Sequence, residues 1–138
     1  MNGMDSNILV YALNKDLPEH EKCKRLLINI AEGNEIISIP AIVFMESFHA
    51  LIRVYKFKIE DVKKRIITII DSENINFLNI TLSTILFAFN ISEEYNTGGR
   101  DSLIAASLLE HNIKNIYSHD KDFDKIKLLN RIDPIDNH

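Results

Sequence analysis

A single cysteine, Cys23, rules out any disulfide within these 138 residues. The fold therefore rests on its apolar core, and Cys23 is expected to be a buried thiol in a reducing cytosol. No apolar run reaches the roughly 18–20 residues that a membrane span requires. The opening MNGMDSN has no basic segment ahead of an apolar one, so no signal peptide is expected. These absences predict a cytoplasmic protein without a membrane partner. Positive charge is also short: 16 Lys and Arg stand against 20 Asp and Glu, a net charge of −4. That balance argues against a broad electrostatic grip on nucleic acid. Two local clusters remain, Arg53 to Arg65 and Lys121 to Arg131, and on charge alone they read as solvated faces. Repeats, low-complexity tracts and linkers are missing too, which predicts one domain over residues 1–138.

What is present is an alternation of helices and short apolar strands, in a chain that is 46% hydrophobic. Helices are predicted over Glu19–Ala31, Pro40–Tyr55, Ile59–Asp71, Leu82–Glu93 and Asp101–His111. EIISIP, INFLNI and KNIYS read as strands, with IDPI as a last short one. The opening allows two readings. ILVYAL extends a strand begun at Met1, or Asp5 ends a very short strand and a helix starts at Ser6. Short apolar strands separated by helices predict an α/β fold with a parallel sheet covered on both faces. Ligands in such folds sit beyond the carboxyl ends of the strands.

Acids occupy unusual places in this pattern. Asp120 follows the KNIYS strand, with Asp122 and Asp124 close behind. Two carboxylates about 4 Å apart repel by about 4 kcal/mol at an effective dielectric near 20. Glu46 falls on the apolar stripe Val43, Ser47, Ala50, Leu51 and Val54, where a lone carboxylate is poorly placed. Asp101 shares a helical face with Ile104, Ala105, Leu108 and Leu109. Asp5 stands at a strand end. Each has a bland reading: a stripe edge that reaches water, a helix cap, an Asx turn. Asp5, Glu46, Asp101 and Asp120 together would rim one crevice, and a hard divalent ion such as Mg²⁺ or Mn²⁺ is the cation their oxygens suit. Other acid-using folds fit less well. A phosphatase motif wants a second aspartate where Asn7 stands, and receiver domains order their acids differently. A di-iron site needs Glu-x-x-His twice, and only Glu46–His49 supplies it. His119 is expected to point away from Asp120, by alternation along an extended segment.

DSNILVYAL, the helix-borne Glu46 in PAIVFMES, RDSLIAASLLEHN and YSHDKDF resemble, in this order and spacing, the motifs of the PIN-domain ribonucleases. The spacing to Phe123 selects Asp120 over Asp122. Only Met1-Asn2-Gly3-Met4 precede Asp5, so a first strand shorter than the family's is expected. The resemblance implies a Rossmann-like three-layer sandwich around a parallel sheet of about five strands. It also implies metal-dependent RNA cleavage, with Asp5, Glu46, Asp101 and Asp120 as catalytic and metal-binding residues. Many PIN proteins of this size are VapC-type toxins, which form homodimers and are silenced by an antitoxin. A catalytically silent partner-binding module and an RNA-processing nuclease outside toxin–antitoxin pairs stand as alternatives. Ser6 and Asn7 would orient the acids or simply make a turn. Arg100 and Lys121 would hold phosphates, with an ion-pair role equally open for Arg100. Val54, Tyr55 and Phe57 suggest a dimer surface.

Overall fold

Asp5 decides how the chain opens. Its backbone is extended and its carboxylate accepts the Ser6 N–H at 2.7 Å, capping α1 (Ser6–Leu13) directly after β1 (Asn2–Met4). ILVYAL is therefore helical, and the extended-strand reading is set aside. Aspartate is a favoured helix cap, and the helix buries Ile8, Leu9, Val10 and Ala12. The computed structural model describes residues 1–136. Asn137 and His138, the last two of the expected 1–138 domain, lie outside the described residues.

The remaining elements are α2 (His20–Ala31), β2 (Ile37–Pro40), α3 (Ala41–Arg53), α4 (Ile59–Ile70) and β3 (Ile75–Leu78). After them come α5 (Leu82–Tyr95), α6 (Gly99–Leu109), β4 (Asn115–Tyr117), a 3-10 helix (Lys121–Lys125) and β5 (Asn130–Ile132). All strand pairs are parallel, in the order β3-β2-β1-β4-β5. Right-handed crossovers place α1–α4 on one face of this sheet and α5 and α6 on the other. The chain reverses its winding at β1, so the crevice between the ends of β1 and β4 is the topological switch point. The expected parallel α/β sandwich of five strands is the fold observed.

Several boundaries differ from the sequence reading by one residue or more. IDPI is not the last strand: β5 ends at Ile132, and Asp133 Oδ1 accepts the Ile135 N–H at 2.9 Å in a turn around Pro134. Proline has no N–H to give a sheet. Helix α3 stops at Arg53, leaving Val54 exposed and off the buried stripe of Val43, Ser47 and Leu51. Helix α6 begins two residues early, with Gly98 as its cap, so Asp101 sits in the first turn and does not cap it.

β1 holds the centre of the sheet with three residues. Gly3 is what lets it lie there, because a Cβ at this position would overlap the Leu108 side chain of α6. The main core joins Met4, Ile37, Ile39, Ile104, Leu108, Ile116 and Phe123. A smaller cluster of Val10, Leu51, Val62 and Ile66 ties α1 to α3 and α4, and Tyr55 and Phe57 pack onto it. Two of the three residues read as a dimer surface are thus partly used inside the molecule.

Candidate active site

The site is built outward from Asp5, whose side chain is completely buried at the end of β1. Its backbone N–H donates to Tyr117 O at 2.9 Å, which continues the β1–β4 pairing by one more bond. Oδ1 takes the Ser6 N–H, and Oδ2 takes the Ser118 hydroxyl at 2.8 Å. Ser118 in turn accepts the Asp120 N–H at 3.0 Å. One serine at the end of β4 therefore links the first acid to the last. Sequence reasoning passed over Ser118, although a small hydroxyl residue immediately before the closing acids was a readable signal.

Glu46 lies on α3 and Asp101 on α6, with side chains 21% and 13% exposed. The two meet Asp5 through Arg100. The guanidinium donates from Nε to Glu46 Oε2 and from Nη1 to Asp101 Oδ1. Nη2 reaches Asp5 Oδ1 at 2.8 Å and Ser6 Oγ at 2.7 Å. Arg100 is thus an ion-pair partner to three of the four expected acids. The fourth joins on the other side of Asp101, where carboxylate oxygens of Asp101, Asp120 and Asp122 lie within 4.8 Å of one another. Asp122 was the residue set aside in favour of Asp120. Both stand near Asp101, because the buried Phe123 anchors the 3-10 helix that carries them. Asp120 caps that helix, accepting the Asp122 N–H at 2.9 Å.

Burial pushes the carboxyls of Glu46 and Asp101 above the usual carboxylate range. Arg100 opposes this, and the neighbouring acids add to it. Burial by itself would lower the Arg100 guanidinium, but Asp5, Glu46 and Asp101 hold it above its ordinary value. Two buried oxygens, Glu46 Oε1 and Asn7 Oδ1, have no hydrogen-bond partner. Unpaired acceptors out of water are costly. An oxygen-rich donor set that includes the unpaired Glu46 Oε1 fits a hard divalent ion such as Mg²⁺ or Mn²⁺.

The surrounding residues behave in different ways. His119 turns away from the acids as alternation predicted: its Nδ1 pairs with Asp133 Oδ2 at 2.7 Å, and its ring meets Tyr11 edge to face. Lys121 is exposed at the start of the 3-10 helix. An open cavity of about 520 Å³ adjoins the cluster, lined by Ser6, Ile42, Met45, Glu46, His49, Ala50 and Arg100. His49 is exposed, so the one Glu-x-x-His pair is not part of a closed metal site.

The PIN domain family model matches residues 4–129. The chain belongs to the PIN domain family. No curated protein matches this sequence. Solved structures resemble this PIN domain over nearly its whole length. One is the sarcin–ricin-loop-cleaving toxin VapC20 of Mycobacterium tuberculosis, 18% identical, with a TM-score of 0.75 over 90% of this chain and 93% of that one. Another is VapBC2 of Rickettsia felis bound to a promoter DNA fragment, 20% identical, with a TM-score of 0.71 over 95% and 96%. A third is a toxin–antitoxin complex from Klebsiella pneumoniae, 19% identical, with a TM-score of 0.67 over 97% and 98%. At these identities the likeness concerns the fold. Among the described residues, no helix is long and apolar enough to cross a membrane.

Proposed function

We propose that this chain is a single-domain ribonuclease that hydrolyses RNA phosphodiester bonds with Mg²⁺ or Mn²⁺, and that it is the toxin of a toxin–antitoxin pair. The observation that carries this reading is the convergence of Asp5, Glu46 and Asp101, from three separate elements, on one point, with Asp120 alongside Asp101. The toxin–antitoxin assignment draws on the kind of protein that shares this fold, VapC20 and the Klebsiella pneumoniae complex among them. A cytoplasmic homodimer silenced by an antitoxin is part of the same proposal.

Asp5, Glu46, Asp101 and Asp120 would hold the ion, which supplies charge neutralisation at the phosphate and a more acidic water. The chain's own groups do the rest. Ser6 N–H and Ser118 Oγ fix both oxygens of Asp5. Glu46 Oε1, buried and unpartnered, is free to take a proton from the attacking water. The water oxygen would bond to phosphorus as the bond to the leaving oxygen breaks, and that oxygen would take up a proton from solvent while the one on Glu46 returns to solvent. Arg100 and Lys121 supply positive charge for the RNA backbone.

Cleavage of a mixed RNA pool with and without Mn²⁺ tests the reading. Wild type is expected to cut only with the ion, and Asp101→Asn to be inactive with an unchanged circular dichroism spectrum. Full cleavage by Asp101→Asn would refute the assignment. A catalytically silent partner-binding module is the second reading, and it is favoured by Arg100, which already neutralises much of the acid cluster. Failure of Mn²⁺ to bind in a calorimetric titration would select it.

A further inference from the structure

Arg100 makes more contacts than a helix-end arginine needs. A guanidinium offers five N–H groups in a rigid fork, and here its three nitrogens address three carboxylates on three elements, plus Ser6 Oγ. The oxygens it engages, Glu46 Oε2, Asp101 Oδ1 and Asp5 Oδ1, belong to the acids expected to hold a divalent ion. Asp5 has no spare oxygen, because Oδ2 is taken by Ser118. At Asp5 a hard ion and this guanidinium therefore meet at the same oxygen, and at Glu46 and Asp101 they share one carboxylate's charge. The other half of the cluster is arranged differently: the Asp101, Asp120 and Asp122 oxygens lie close together, and among the described residues only Asp122 has a further cation near, Lys125 at 3.8 Å.

We propose that Arg100 is a resident counter-cation for Asp5, Glu46 and Asp101, which a divalent ion displaces in order to occupy that half of the site. This inference rests on the metal-dependent reading above. The arm has room to leave. Its side chain is 39% exposed, it follows Gly98 and Gly99, around which there is open space, and it already borders the cavity beside Met45 and His49. Turned outward, the freed guanidinium keeps its charge at the mouth of the crevice, where an RNA phosphate arrives. Arg100 is then a positioning residue with two stations, one for the metal-free acids and one facing substrate. It also sets the ion concentration at which the site loads, since an ion has to outcompete it.

The test uses the full chain, ¹⁵N-labelled and stripped of metal, titrated with Mg²⁺ while the Arg100 Nε–H resonance is followed. Arg100→Lys identifies that resonance by its loss. Calorimetry with Mn²⁺ on wild type and Arg100→Gln accompanies it. The expected result is an Nε–H signal that shifts and loses exchange protection in step with Mg²⁺ binding. Arg100→Gln is expected to bind Mn²⁺ roughly tenfold more tightly than wild type. Saturation with Mg²⁺ while the Nε–H stays protected and unmoved overturns the displacement and leaves metal dependence standing. Weaker or equal Mn²⁺ binding by Arg100→Gln overturns it as well. Absence of ion binding in wild type and variant alike brings down the nuclease reading itself, and this inference with it.

Discussion

Single side chains in this PIN domain do several jobs at once, and Ser118 is the clearest case. Its hydroxyl donates to Asp5 Oδ2 and accepts from the Asp120 backbone, so it holds the two ends of the acid cluster in register. Ser118→Ala leaves Asp5 Oδ2 buried without a donor. The expected outcome is a loss of about 10–100-fold in Mn²⁺ affinity or cleavage, as for partners that orient ligand groups, read by calorimetry and by RNA cleavage. Wild-type affinity in that variant would remove Ser118 from the site. Cys23 makes the opposite kind of point. It is fully buried, and burial pushes its thiol up to about 12. Thiolate is the reactive form, so Cys23 is expected to resist a thiol reagent in the native protein and to react completely once urea unfolds it.

At the scale of elements, the short β1 shows how little sequence a central strand needs when its neighbours are right. Met4 is buried, Asp5 extends the pairing to Tyr117 O, and Gly3 admits Leu108 from α6. Gly3→Ala places a methyl group into that side chain, and overpacking of this kind costs about 1–3 kcal/mol. Urea denaturation is expected to show such a loss, with part of it recovered when Leu108→Ala is added. Much of this layer was legible. The periodicity of α2, α3 and α4 and the strand end at Pro40 followed from pattern, as did a ligand crevice beyond the strands' carboxyl ends, whereas KNIYS was read one residue too long at each end. The ends of elements were harder, because they depend on partners elsewhere. Ile132 to Ile135 is apolar enough to look like a strand, yet Asp133 turns it, held by His119 and Arg131. Glu46 and Asp101 stood out by their misfit with apolar faces, Asp5 and Asp120 by their places at strand ends, with the family motif selecting Asp120 over Asp122. For Arg100 an ion pair was one of two even readings, but its reach to three carboxylates was not legible, since that is a property of three elements meeting and leaves no trace in spacing.

For the whole molecule, the acid cluster makes stability depend on pH, and the proposed ion binding would depend on pH with it. Burial raises the Glu46 and Asp101 carboxyls. The stability tied to two such raised groups is complete below the ordinary carboxylate pKa and is lost as pH climbs through their raised values. Asp133 acts in reverse. Burial alone would raise it, but the Ile135 N–H and His119 bring it below its usual value, so its contribution is lost as the solution is acidified through that lowered value. Ions bind the deprotonated acids and displace protons. The stabilisation that Mn²⁺ adds to the melting temperature is therefore expected to grow from about pH 4 to about pH 7, across and above the carboxylate range. A shift independent of pH would place the ion away from Glu46 and Asp101.

The bond from Ser118 to Asp5 spans 113 positions of sequence. A growing polypeptide on the ribosome holds Asp5 long before its partner exists, and synthesis runs at roughly 5–20 residues per second. A half-made copy thus has its first acid and no place to put it. The RNA cleavage proposed above is therefore expected to begin only after translation has passed the closing acids, when Ser118 can take Asp5 Oδ2.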